Sequence, residues 1–184
     1  MAARLIAVEP FDLVVFGGSG DLAFRKLLPA LYHRFVDGQI PPAARIIGVS
    51  RRPMSDEEYR AAVKKALEDH VDKADLDAKA IDGFLKLLHF VPVDAQSDMG
   101  WDKLAALLAE AKDRIRAFYL AVAPELFAVI SERIGKAGLV TKETRVIIEK
   151  PIGRDLETAR EVNDDVGKYF SERQIYRIDH YLGK

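Results

Sequence analysis

The 184-residue chain contains no cysteine, which excludes disulfides, thiolate catalysis and thiolate metal ligation. It also lacks an excess of either charge: 28 basic residues stand against 29 acidic ones, for a net charge of -1. No nucleic-acid partner is expected from such a balance, although a local cationic cluster can still hold a phosphate. Histidine is sparse, with four copies, and no spacing of histidines and carboxylates makes a metal site. His33, His70 and His89 fall on expected helices or at a strand start and read as structural or exposed. No segment approaches the roughly 18 uninterrupted apolar residues of a membrane-spanning helix. No membrane association is expected, and the cytoplasm is the default location. Internal repeats, low-complexity tracts and an interdomain linker are missing as well. What is present, 49% hydrophobic and 31% charged residues, describes a globular protein long enough to bury a full core as one domain over residues 1–184.

The stretch from Asp12 to Lys26 organises the rest. Leu13 to Phe16 form a short apolar run that stops at Gly17, Gly18 and Gly20. Beyond Asp21, the apolar residues Leu22, Leu27, Leu28, Leu31 and Phe35 recur at helical spacing, so the unit reads as strand, glycine-rich turn, helix. A helix start carries amides without intrahelical acceptors and partial positive charge, and glycines let a phosphate approach the main chain. Gly17, Gly18, Ser19, Gly20, Asp21 and Leu22 are therefore the expected seat of a dinucleotide pyrophosphate. Two registers fit: Gly18-Ser-Gly20-Asp-Leu-Ala23 as G-x-G-x-x-A, and Gly17-Gly-Ser-Gly20 as a G-x-x-G turn.

Strand and helix signals alternate along the whole chain. The first helix fades near Asp37-Gly38, and Arg45 to Ser50 reads as a strand. Ser55 caps a helix carrying Tyr59, Ala62, Val63, Ala66 and Leu67 on one side, and another helix is expected over Leu76 to Leu88. His89 to Val93 is a short strand; Ser97 or Asp98 is the expected cap of a helix bearing Leu104, Leu107, Leu108 and Ala111. Ile115 to Val122, apolar apart from Arg116, reads as a strand buried on both faces. A helix from Glu125 to about Lys136, broken by Gly138, a strand from Thr144 to Glu149, a helix from Leu156 to about Tyr169 and a strand from Gln174 to Ile178 complete the series. The expected order is β-α-β-α-α-β-α-β-α-β-α-β. It argues for an α/β fold, a doubly wound, mostly parallel Rossmann-type sheet whose ligands sit at the carboxyl ends of the strands.

Three further segments follow strands directly. The second strand ends in Ser50-Arg51-Arg52, where an NAD site normally offers a carboxylate to the ribose hydroxyls. A guanidinium pair there fits a 2′-phosphate and favours NADP, while a solvated pair of surface arginines before Pro53 also fits. Lys150, before Pro151, is placed to reach a substrate oxygen or phosphate, or to be an exposed loop lysine. Asp179-His180 sets an imidazole beside a carboxylate, as alcohol oxidation by hydride transfer needs a base. Adjacent side chains on extended chain point to opposite faces, so Asp179 is better suited to orient some other histidine than His180.

Phe16-Gly-Gly-Ser-Gly-Asp-Leu-Ala-Phe-Arg-Lys26, Glu149-Lys-Pro-Ile-Gly-Arg-Asp155 and Arg177-Ile-Asp-His-Tyr-Leu-Gly-Lys184 resemble, in order, three signature segments of the glucose-6-phosphate 1-dehydrogenase family. The resemblance spans essentially the whole chain. It implies NADP-dependent oxidation of glucose 6-phosphate to 6-phosphogluconolactone, the entry to the oxidative pentose phosphate pathway. It also implies that Gly17 to Gly20 hold the pyrophosphate, with Gly17 and Gly20 as fixed points, and that Arg51 contacts the 2′-phosphate beside a variable Arg52. By the same resemblance Lys150 is expected to serve substrate and coenzyme next to a usually cis Pro151. The resemblance likewise implies that His180, Tyr181 and Lys184 bind the substrate phosphate and that Asp179 orients the catalytic histidine. Ala121-Val-Ala-Pro124 departs from relatives that often carry two consecutive prolines there. Family members continue into an α+β domain with the catalytic histidine, further sugar ligands and a homo-oligomeric interface, whereas this sequence stops at Lys184. The expectation is a coenzyme domain that binds NADP without the catalytic base, the alternatives being a non-catalytic nucleotide-binding module or another NAD(P)-dependent sugar oxidoreductase.

Overall fold

A computed structural model describes residues 8–179. Its centre is β1 (Phe11–Phe16), whose pattern of burial leaves Leu13 to Phe16 almost without solvent contact on either face. A π-helical turn (Ala23–Leu27) follows the glycines and runs into α1 (Leu28–Val36). Next come β2 (Arg45–Ser50), α2 (Asp56–His70), α3 (Ala78–Leu85), β3 (Leu88–Pro92) and α4 (Trp101–Ala109). The second half is β4 (Ile115–Leu120), α5 (Phe127–Lys136), β5 (Arg145–Glu149), α6 (Leu156–Gly167) and β6 (Ile175–Ile178). The strands form one sheet in the order β3-β2-β1-β4-β5-β6, every neighbouring pair parallel. This is the doubly wound Rossmann-type α/β fold, with every strand's carboxyl end on one edge and the order reversing between β1 and β4.

Alternating strand residues feed two layers. Val14, Phe16, Phe118, Leu120, Val146 and Ile148 pack on the α4, α5 and α6 side, against Leu104, Leu108, Phe127, Ile130, Ile134 and Val166. On the other side Ile46, Leu88 and Phe90 meet α1 to α3 through Leu28, Tyr32, Tyr59, Val63, Leu67 and Phe84. Burying a side chain of this size is worth about 1.5–3 kcal/mol, and the series-long alternation is what specifies both layers. At the amino-terminal edge, fully buried Asp12 accepts two hydrogen bonds from Arg45, at 2.8 and 2.7 Å, and one from Arg114 at 3.2 Å.

Some boundaries differ from expectation for local reasons. The residue at the cap of α4 is Gly100, not Ser97 or Asp98. The Ser97 hydroxyl is already donating to Asp94, 3.0 Å away, and Gly100 takes φ +83° where a Cβ would fall 1.9 Å from Pro92 O. Ala111 lies beyond the end of α4, and α3 is shorter at both ends than the apolar spacing suggested. Pro124 opens a 3₁₀ turn (Pro124–Leu126) ahead of α5, and β4 has already ended at Leu120. Arg116 is buried inside β4, where its guanidinium donates to Leu139 O at 3.1 Å and Leu108 O at 3.3 Å, tying the strand to the segment after α5 and to the last turn of α4.

Candidate functional site

The carboxyl edge of the sheet is built around the turn after β1. Gly17 N and Gly18 N both donate to Val49 O, at 2.9 and 3.1 Å, which binds the turn to β2, and Gly20 N closes onto Gly17 O at 2.8 Å. Gly17 has φ +83°, and a Cβ there would lie 2.2 Å from Ala121 O. A Cβ on Gly18 would meet Gly48 Cα at 2.6 Å and Val49 N at 2.9 Å. At Gly20 the nearest obstacle is only Gly17 O, at 3.1 Å. The fold itself thus demands glycine at 17 and crowds any side chain at 18 against β2, while the space at Gly20, which the resemblance pointed to as the second fixed point, is open toward the edge. Phe24 N then closes a helical bond onto Gly20 O at 3.1 Å, so a helix start faces the same edge with its first-turn amides. Fully buried Ala23 packs behind it.

Beside this turn lies a cavity of about 340 Å³ at the point where strand order reverses. Gly17, Arg51, Asp94, Val122 and Leu126 are among its walls. Arg51 and Arg52 are both exposed but serve different hollows: Arg52 lines a second one with Ser19, Phe24, Met54 and Glu58. The end of β2 carries Ser50, whose hydroxyl oxygen accepts from Ser19 Oγ at 2.8 Å. Across the cavity the Asp94 carboxylate accepts from Gln96 N and Ser97 Oγ, both at 3.0 Å. These bonds, with lesser contributions from the charges of Arg51 and Arg133, hold it below the usual carboxylate range.

Further along the edge, Lys150 follows β5 through a cis peptide to Pro151, as the resemblance implied. Its Nζ donates to Asp179 Oδ2 at 3.1 Å, joining the ends of β5 and β6. Both side chains are about half exposed, at 53% and 49%, so the pair orients more than it stabilises. Tyr119 donates to Glu149 in the same neighbourhood, and burial, followed by that carboxylate, pushes its phenol up from its ordinary value. The structure therefore brings Gly17 to Leu22, Arg51, Lys150 and Asp179 to one edge, with Arg52 on the flank. His180, Tyr181 and Lys184 lie outside the described residues.

Three residues at the site escaped the sequence reading: Tyr59, Asp94 and Tyr119. The signal for Tyr59 was Gly48, because a glycine inside a strand marks close approach by a neighbour; a Cβ on Gly48 would lie 2.5 Å from the Tyr59 ring. Asp94 stood just after a strand, in the same position as the other site residues. Nothing in the sequence set Tyr119 apart from its apolar neighbours. Among the described residues no cluster of histidines and carboxylates could hold a metal ion, and no helix is long and apolar enough to cross a membrane.

Residues 14–184 match the family model described as glucose-6-phosphate dehydrogenase, NAD binding domain. Over 184 residues the chain is 55% identical to the glucose-6-phosphate 1-dehydrogenase of Rhizobium meliloti, covering all of this chain and 38% of that protein. The protein of the same name from Gluconobacter oxydans is 49% identical over 179 residues, with 96% of this chain and 37% of its own length covered. A solved structure of a glucose-6-phosphate dehydrogenase in complex with its substrate glucose 6-phosphate superposes with a TM-score of 0.85 at 34% identity, covering 100% of this chain and 39% of that one. The chain spans under two fifths of the length of these relatives. It carries the fold and the matched region of a dinucleotide-binding domain, and it belongs to the glucose-6-phosphate dehydrogenase family.

Proposed function

We propose that these residues form the coenzyme-binding domain of an NADP-dependent glucose-6-phosphate dehydrogenase, and that the whole enzyme oxidises glucose 6-phosphate to 6-phosphogluconolactone. The observation that carries the reading is the pairing of the glycine turn with Ser50-Arg51-Arg52 at the adjacent strand end. The turn and helix start offer backbone N–H groups to a pyrophosphate, and the strand that would supply an acid to ribose hydroxyls supplies guanidinium instead. The cavity at the strand reversal, with its apolar wall of Val122 and Leu126, fits a dinucleotide lying across that reversal. Bound there, the coenzyme supplies the hydride acceptor.

The chain's own side chains then have distinct tasks. Arg51 holds the 2′-phosphate, and Arg52, on the neighbouring hollow, adds to the positive potential around it. Lys150 lies at the end of β5, where its ammonium reaches a sugar oxygen or a coenzyme ribose, and Asp179 keeps it turned toward the edge. His180, Tyr181 and Lys184 hold the sugar phosphate, and Asp179 orients a catalytic histidine that these 184 residues do not include. On this reading the 184-residue chain binds NADP and does not turn over. The enzyme from relatives named for glucose 6-phosphate, and the relative solved with that substrate, support the choice of sugar. A coupled assay of NADPH formation from glucose 6-phosphate tests it: normal turnover by the 184-residue chain contradicts the assignment of the base elsewhere. The same assay on the whole protein should reject unphosphorylated glucose in favour of glucose 6-phosphate.

A further inference from the structure

Tyr59, on α2, is completely buried and sits directly beneath the glycine turn. Its hydroxyl donates to Gly18 O at 3.1 Å, 41 residues away in sequence. The ring occupies the space left by the missing side chain of Gly48, and it is held there by Phe90 and Phe24, with ring centres at 5.0 and 6.2 Å. A trans peptide is planar, with its C=O and the next N–H pointing opposite ways. Anchoring Gly18 O inward therefore turns Ser19 N–H outward, to the edge where the helix start also faces. Ser19 is fixed a second time through its hydroxyl bond to Ser50.

We propose that Tyr59 is a positioning residue for the coenzyme's pyrophosphate: through Gly18 O it sets the plane of the Gly18–Ser19 peptide and so aims Ser19 N–H at the phosphate. The inference rests on the coenzyme reading above. It differs from a packing role, which any aromatic ring of the same size would fill. Tyr59→Phe keeps the ring and removes only the donor, leaving Gly18 O without that bond and the peptide free to rock. Gly48→Ala keeps the hydroxyl but drives the ring from its seat, since the new methyl would lie 2.5 Å from ring carbon and oxygen.

The test is calorimetric titration of the intact 184-residue chain and both variants with two ligands, NADP and adenosine 2′-monophosphate, which has the 2′-phosphate but no pyrophosphate. Circular dichroism confirms that each variant is folded. Tyr59→Phe is expected to weaken NADP about tenfold while changing adenosine 2′-monophosphate less than about twofold. Gly48→Ala is expected to show the same split, and it carries the test if Tyr59→Phe disturbs the fold. Unchanged NADP affinity in folded Tyr59→Phe overturns the proposal, and so does an equal loss for both ligands, which marks general loosening. If the unaltered chain binds neither ligand, the coenzyme reading itself falls, a result seen before any variant is made.

Discussion

Arg51 and Gly18 are the residues on which single substitutions speak most clearly. A guanidinium bond to a phosphate is worth about 1.5–3 kcal/mol. Arg51→Ala should therefore lower NADP affinity by roughly 10- to 100-fold and leave NAD within about twofold, read by calorimetry. Arg52→Ala should cost less, because Arg52 lines the flanking hollow with Ser19 and Glu58 and not the main cavity. At Gly18 the conflict is with backbone: alanine would press on Gly48 Cα, Val15 O and Val49 N, none of which can swing aside as a side chain can. Gly18→Ala is expected to shift the turn against β2 and weaken NADP binding by calorimetry, though less than Gly17→Ala, where φ is +83° and the clash with Ala121 O falls at 2.2 Å, while the helical and strand content by circular dichroism stays close to that of the unaltered chain. The glycines were legible in the sequence because their spacing interrupts an apolar run. Their division of labour was not, since the demand at Gly18 comes from Gly48, thirty residues away on a strand whose register only the folded sheet reveals. The same gap hid Tyr59, whose helical spacing marked it as core and whose hydroxyl partner lies in the turn.

The elements were legible in order and type because each strand is a short apolar run and each helix has a periodic face, and the observed series of strands and helices is the expected one. Boundaries shifted where a side chain was drawn into a local contact, as Ser97 is by Asp94, or where backbone approached backbone, as at Gly100. Charged residues within strands were harder to read. Asp12 on β1 is fully buried and takes up Arg45 from β2 and Arg114 from the segment before β4. Removing one partner of such a buried set costs about 3–5 kcal/mol, so Asp12→Ala should lower unfolding stability by about that amount in a urea titration. The α2 element adds a pH dependence. Burial pushes the Tyr59 phenol well above its ordinary 10.0, so the unfolded chain releases this proton before the folded one does. The stabilising contribution is complete below about pH 10 and declines as pH rises from there toward the folded value. Thermal melts between about pH 9 and about pH 11 should fall more steeply for the unaltered chain than for Tyr59→Phe, with Tyr119, Lys136 and Lys168, also shifted upward, adding to the slope in both proteins.

At the scale of the whole molecule, one parallel sheet places the ends of six strands on one edge, and this geometry brings residues as far apart in sequence as Gly17 and Asp179 to that edge. Family membership and the Rossmann-type sheet could be anticipated from three short motifs and the alternation of elements. The cavity itself could not, because it arises only where β1 and β4 part at the reversal of strand order. The central claim is that this edge reads the 2′-phosphate of NADP through cations where an NAD site would use an acid. The most direct measurement is a calorimetric titration of the 184-residue chain with NADP and with NAD under identical buffer and salt. The expected result is NADP binding at least about tenfold more tightly, the least that one charge-assisted phosphate contact supplies. Equal affinities for the two coenzymes, or tighter binding of NAD, would contradict it.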